Sequence, residues 1–171
     1  MIFTSALFPV SNIYLAIALG VLLPVLAAAM FGLFNAFLIT RFSIQPIVAT
    51  LVLFIAGRGI AQVSTNGDLQ VFVVPQFQAL ALGRVLGVPF QVWVMLAIVA
   101  GAAFMLNRTV IGRQILAVGG NEAAARLAGV PVAAVKYLVY GITGALSAIA
   151  GLIVIAMNSA ADANLIGLGM E

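Results

Sequence analysis

The stretch NRTVIGRQILAVGGNEAAARLAGVPVAAVK, residues 107–136, interrupts a chain otherwise made of long apolar blocks, and it holds four of the seven basic residues, Arg108, Arg113, Arg126 and Lys136. Inside it, GGNEAAARLAGVP carries helix start and stop signals. Asn121 suits an N-cap, whose side-chain oxygen accepts from an otherwise free amide of the first turn. Glu122 then places an anion at the positive end of the helix dipole. Gly129 suits the left-handed residue that closes a helix, and Pro131 follows it. Glu122 and Arg126 stand four apart in the favourable order, which adds about 0.2–0.5 kcal/mol. Isolated helices below about 12–15 residues are marginal in water, so this short one must dock. Ala123, Ala124, Ala125 and Ala128 form a small face that permits close approach, and Leu127 is an apolar knob. Two readings stay open: a loop helix packed on its own bundle, or a lever gripped by a partner in the cytosol.

Around this segment the composition is that of a lipid-embedded protein. Of 171 residues, 65% are hydrophobic and only 6% charged, far from the usage of soluble domains. The net charge of +3 comes from basic residues scattered along an apolar chain, which cannot form a nucleic-acid face and instead act as topology signals. Cysteine and histidine are absent. That removes disulfides, thiol catalysis, the usual zinc sites and any histidine base. The N-terminal MIFTSALFPVSN lacks the basic region and cleavage site of a signal peptide, so targeting is expected to come from the spans.

A bilayer core is crossed by about 20 apolar residues in a helix, and four stretches qualify. They run from about Ile13 to Ile39, Ile47 to Val63, Gln91 to Leu106 and Tyr137 to Met157. The first contains Pro24, a kink signal, and an Ala28-to-Gly32 small-residue contact. Pro46 suits the first turn of the second. Trp93 opens the third near one interface, and Tyr137 and Tyr140 begin the fourth near the other. In the fourth, Gly141, Gly144, Ala145, Ser147, Ala148 and Gly151 give overlapping small-xxx-small pairs, a helix-packing signal. The expected fold is an all-α integral membrane protein: a polytopic helical bundle of about four spans with a short cytoplasmic coupling helix, organised as one transmembrane domain over residues 1–171.

Placing the loops alternately on two sides puts Arg41, Arg108, Arg113, Arg126 and Lys136 together, against Arg84, Asp68, Asp162 and Glu171. The positive-inside rule assigns the first side to the cytoplasm. On the other side, the loop from Ser64 to Pro89 begins with STNGD and holds Phe77, Leu80, Leu82, Val85 and Leu86 at irregular spacing. A re-entrant or interfacial cover, and a gate or docking surface, are both open for it.

Arg58, between Gly57 and Gly59, is the one charge well inside a span, and such a charge is costly unless paired or snorkelling. It either bonds carbonyls at a helix break or lines a polar route with Gln62. Asn35, Gln45, Thr50 and Asn158 are further neutral polar groups in or near spans, of the kind that bind polyols, though each alone also serves as interhelical glue. The chain has no G-x-x-x-x-G-K-[ST] phosphate loop, and its sole lysine is Lys136. Its acids, Asp68, Glu122, Asp162 and Glu171, fall in separate loops, so no catalytic dyad or proton path is visible and no catalytic residue is assigned.

RTVIGRQILAVGGNEAAARLAGVPVAAVK resembles the cytoplasmic loop of permease subunits in bacterial ABC sugar importers of the ribose and galactofuranose class. SIQPIVATLVLFIAGRGIAQVSTNG resembles that family's preceding span, and ADANLIGLGME its next periplasmic stretch. The resemblance implies a multi-pass permease of the bacterial inner membrane that moves a monosaccharide. It makes Asn121 through Gly129, with Gly119 just before, the element that fits a groove on a cytosolic ATPase subunit, engaging Asn121, Glu122, Ala124, Ala125, Arg126, Leu127 and Gly129. ATP and Mg would then belong to that ATPase, with no cofactor or metal on this chain. A periplasmic sugar-binding protein and a second permease copy or homologue are the other implied partners, and nucleic acid is not one. Members of that family are about twice this long, so the chain is expected to be a fragment. Rival readings are a branched-chain amino acid permease, a stand-alone channel or structural membrane subunit, and a truncated product.

Overall fold

The computed structural model describes residues 13–66, 70–71, 83–85, 87–158 and 160–161. Six helices account for most of them: α1 (Ile13–Phe42), α2 (Pro46–Ser64), α3 (Phe90–Arg108), α4 (Val110–Gly120), α5 (Glu122–Leu127) and α6 (Val132–Asn158). Four of these contain stretches long and apolar enough to cross a membrane: Ala18–Phe42, Pro46–Ser64, Phe90–Arg108 and Val132–Met157. At their ends the helices match the expected spans or extend them by up to five residues, because flanking polar residues such as Arg41, Arg108 and Lys136 continue the same backbone spiral.

Four two-residue strands complete the described elements: β1 (Gln70–Val71), β2 (Arg84–Val85), β3 (Val88–Pro89) and β4 (Ala160–Ala161). β2 and β3 form a hairpin turned at Gly87, whose φ of 81° is open to glycine. β1 pairs antiparallel with β4, which ties the loop after α2 to the chain after α6. These short pairs lie in the connecting segments, and the fold is the expected all-α bundle. Phe77, Leu80, Leu82 and Leu86, the first twelve residues and residues 162–171 lie outside the described residues, and the expectations for those segments with them.

The principal packing is between α1 and α6, which run antiparallel. At one end Thr40 Oγ1 and Tyr137 Oη are 3.3 Å apart. Further along, Gly32 lies against the main chain of Tyr140 and Gly141, the Leu33 side chain covers Gly141, and Gly144 lies against the main chain of Ala28 and Ala29. Lipid is as apolar as leucine, so close backbone approach and dispersion rather than hydrophobic transfer hold such a pair. The small-residue signals in the first and fourth spans therefore describe two halves of one contact.

The remaining spans are looser. α2 touches α1, and α3 packs mainly against α4 and β3 with no residue of its own buried. Helix α1 is assigned as one helix through Pro24, and α2 runs unbroken through Gly57, Arg58 and Gly59, so the structure contains no helix break beside Arg58. The corner between α1 and α2 is made by Ser43, at φ 53°, and by Pro46 in the first turn of α2.

Candidate functional site at the basic end of the bundle

Helix α4 is an element that the four spans and the short alanine-rich helix of the sequence reading do not include. Its cap is Thr109, whose Oγ1 accepts from the Gly112 amide at 3.1 Å and donates to the Met105 carbonyl at 2.6 Å. Gly112 packs so closely on the main chain of Met105 and Leu106 that a Cβ there would overlap it, which makes the α3–α4 corner tight. The available signal was threonine followed by Val110, Ile111, Ile115, Leu116 and Val118 at helical spacing, with Gly119 and Gly120 closing the run.

Helix α5 follows after the single residue Asn121. The Asn121 Oδ1 accepts from the Ala124 amide at 3.0 Å, as the N-cap signal predicts. At the other end Gly129 has φ 79°, its amide donates to Arg126 O at 3.1 Å, and the Val130 amide donates to Ala125 O at 3.0 Å. That pair of bonds is a Schellman closure, and it consumes carbonyls the helix cannot use itself. Start and stop both fall where the sequence writes them.

The alanine face divides. Ala125 is 4% exposed and faces the protein's own bundle, whereas Leu127 is 91% exposed, and Ala123, Ala124, Arg126 and Ala128 are exposed with it. Ala125 is therefore a seating residue rather than part of an outward surface. Geometry accounts for this, because residues three apart share a helix face, so Ala125 and the half-buried Glu122 turn inward together while the alanines between them turn out. Gly119 is exposed, with open space where a Cβ would stand.

Glu122 is the electrostatic centre of the region. Its carboxylate meets Arg126 Nη2 at 3.1 Å, four residues on, and Lys136 Nζ at 2.8 Å, fourteen residues on, in the first turns of α6. The hydrogen bond from Lys136 holds the Glu122 carboxyl below its ordinary range; partial desolvation opposes this, and the charges of Lys136 and Arg126 assist. The Arg126 pair is foreseeable from spacing. The Lys136 pair is not, since it depends on where α6 begins relative to α5.

These groups border a cleft of about 320 Å³ between the α1–α2 corner and the α5–α6 turn, lined among others by Thr40, Ser43, Gln45, Glu122, Arg126 and Lys136. The structure thus brings the α1–α2 corner and α5 to one end of the bundle.

The six residues read as a polar route do not gather there. Among those whose side chains are described, only Gln45 reaches the cleft, where it is the exposed N-cap of α2 and its carbonyl accepts from the Ala49 amide at 3.1 Å. Thr50 is exposed one turn further along and donates back to the carbonyls of Pro46 and Ile47 at 3.0 Å each. Arg58 and Gln62 occupy the distal half of α2, both half-buried and both engaged with neighbours. Asn158 is the last residue of α6, and its side chain is outside the described set. Asn35, on α1, is buried to 6% exposure, and its Oδ1 has no hydrogen-bond partner among the described residues.

The family model described as "Branched-chain amino acid transport system / permease component" matches residues 2–171. Among curated proteins, the chain is 38% identical over 138 residues to the ribose import permease protein RbsC of Escherichia coli K12, covering 78% of this chain and 43% of that one. It is 35% identical over 147 residues to the L-arabinose ABC transporter permease protein AraH of Azospirillum brasilense, covering 86% and 43%. It is also 39% identical over 140 residues to the galactofuranose transporter permease protein YtfT of Escherichia coli K12, covering 82% and 41%. The chain spans less than half the length of these relatives. No solved structure matches it. With four helices of spanning length and a family match over nearly its whole extent, this integral membrane chain belongs to the branched-chain amino acid transport system permease family, within which the relatives named above are sugar permeases.

Proposed function

We propose that the chain is part of the permease subunit of an ATP-driven importer that carries a monosaccharide of the ribose, arabinose or galactofuranose kind across a bacterial inner membrane. The observation that carries this reading is α5, a helix capped at both ends and seated through Ala125, which leaves Leu127 and the neighbouring alanines exposed at the basic end of the bundle. An apolar knob so exposed on an otherwise well-formed element suits a groove on another protein. The positive-inside rule puts this end in the cytoplasm, where the ATPase would be. The chain has no phosphate loop, which agrees with hydrolysis, ATP and Mg on that separate subunit. The other proposed partners are a periplasmic sugar-binding protein and a second permease copy or homologue.

Asn121, Glu122, Ala124, Arg126, Leu127 and Gly129 would form or shape the docking element, with Ala125 holding it from behind and Gly119 leading into it. For the substrate route, Asn35 is the strongest of the six polar residues, because its buried acceptor lacks a protein donor. The family description also names branched-chain amino acids, so that substrate class is the second reading. Uptake of radiolabelled ribose, arabinose and leucine by cells carrying the transporter, each with unlabelled competitors, separates the two. A photo-crosslinker at Leu127 that captures an ATPase subunit supports the docking assignment, and its failure to do so refutes it.

A further inference from the structure

We propose that Lys136 is a positioning residue, which through Glu122 locks the orientation of α5 to α6 so that a push on α5 turns the α6–α1 pair. The proposal rests on the docking role given to α5 above. The geometry is direct. Lys136 Nζ lies 2.8 Å from the Glu122 carboxylate, and its side chain is 22% exposed, against 71% for Arg126 on the outer side of the same carboxylate. The less exposed arm is also the one that leaves α5 and reaches a membrane span. Exposed ion pairs hold geometry poorly, whereas one shielded on one side is screened less.

Apart from its packing against α4, little else fastens α5 in direction. The Asn121 cap and the Gly129 closure bond within the segment itself, and Ala125 is its only buried side chain. Packing on α4 and one buried methyl group fix α5 only loosely relative to α6, and a charged tether from its first residue to α6 removes that freedom. Beyond Lys136 the path continues without a gap. The neighbouring Tyr137 meets Thr40 of α1, and further along the backbones of α1 and α6 are in contact at Gly32 and Gly144. Interfaces this close rearrange between discrete packings rather than deforming smoothly. The roll of α5 is therefore transmitted to α6 only while Glu122 is held.

The test uses the assembled transporter. With cysteines elsewhere in the assembled transporter replaced, spin labels are attached at Leu127→Cys and Ala150→Cys of this cysteine-free stretch, both exposed positions. The expected result is one narrow label separation that broadens in Lys136→Gln and narrows again in Lys136→Arg. In the same variants, D-ribose taken up per ATP hydrolysed is expected to fall about two- to fivefold in Lys136→Gln and to return with arginine, the size of change a solvent-screened ion pair can supply. Unchanged label separations in Lys136→Gln overturn the proposal, as does an unchanged ratio of ribose to ATP. Where Lys136→Gln does not accumulate in the membrane, Glu122→Gln makes the same comparison from the other side of the pair, and the same two outcomes overturn the proposal. Absence of ATPase capture by a crosslinker at Leu127 in the unsubstituted transporter is a separate result. It removes the docking role of α5, while the label separations still report whether Lys136 holds the helix.

Discussion

Gly144 of α6 rests on the main-chain carbonyl of Ala28 in α1, and a Cβ at residue 144 would overlap that oxygen. Backbone cannot retreat as a flexible side chain can, so Gly144→Val is expected to separate α1 from α6 and destabilise the bundle by about 1–3 kcal/mol. Gly151, seven residues along the same helix, has open space at its Cβ position, and Gly151→Ala is expected to be neutral within about 0.5 kcal/mol. Thermal unfolding of the two variants in detergent checks the contrast.

Labelling of single cysteines from each side of the membrane tests the orientation. Leu127→Cys and Ala124→Cys are expected to react with an impermeant maleimide only when the reagent has access to the cytoplasm. Ala125→Cys, at a site 4% exposed, is expected to react slowly from either side. Fast labelling of Ala125→Cys would show that α5 is not seated as described.

The closure of α5 at Gly129 requires a left-handed residue, at φ 79°. Gly129→Ala is expected to cost about 1 kcal/mol locally, as ordinary residues do in that conformation. Asn121→Ala removes the cap at the other end and is expected to cost about 0.5–2 kcal/mol. Both losses are confined to a small element, so faster amide exchange at residues 122–130 with unchanged exchange in α1 and α6 is the measurement that distinguishes them from global unfolding.

Acid should release the tether on α5. The Glu122 carboxyl is held below its ordinary value in the folded protein, chiefly by the hydrogen bond from Lys136. A carboxyl of that kind contributes its full stabilisation above its unfolded pKa of about 4.3 and loses it as pH falls through the lower folded value. Protection of α5 from exchange is therefore expected to stay level from about pH 8 to about pH 5 and to decline only below about 4.3. Because Glu122 is partly exposed, solvent screening limits the effect to about 0.2–1 kcal/mol.

Asn35 separates stability from transport. Its buried Oδ1 lacks a partner, so Asn35→Leu is expected to leave stability unchanged or to raise it by about 1 kcal/mol. If the carboxamide takes up a sugar hydroxyl on the route, uptake falls in the same variant. Uptake equal to the parent would exclude Asn35 from the route.

The parts legible in the sequence were those governed by local rules. Twenty-odd apolar residues between polar ends give a span, and Asn121, Gly129 and Pro131 mark where α5 starts and stops whatever lies around it. The pairing of the first and fourth spans was half legible: Ala28, Gly32, Gly141 and Gly144 advertise close packing, but spacing along one helix does not name its partner. Residues 110–120 carry a weaker signal, an apolar stripe behind Thr109 that ends in two glycines, and the corner that makes them a helix depends on Gly112 closing on α3. The Glu122–Lys136 pair was out of reach, since it depends on how the chain folds back after Pro131. The same reason explains the polar route. Hydrogen-bonding groups were easy to find along the spans, whereas their convergence is a tertiary property, and Gln45, Thr50, Arg58 and Gln62 are spread along α2.

The contact between α1 and α6 joins segments separated by about 90 residues of chain. At synthesis rates of about 5–20 residues per second, the first span emerges several seconds before its mate exists. During that interval the groove at Ala28 and Gly32 is open to any passing helix with a glycine to offer. Chaperoning of that groove during insertion follows from placing the two sides of one contact so far apart in the chain.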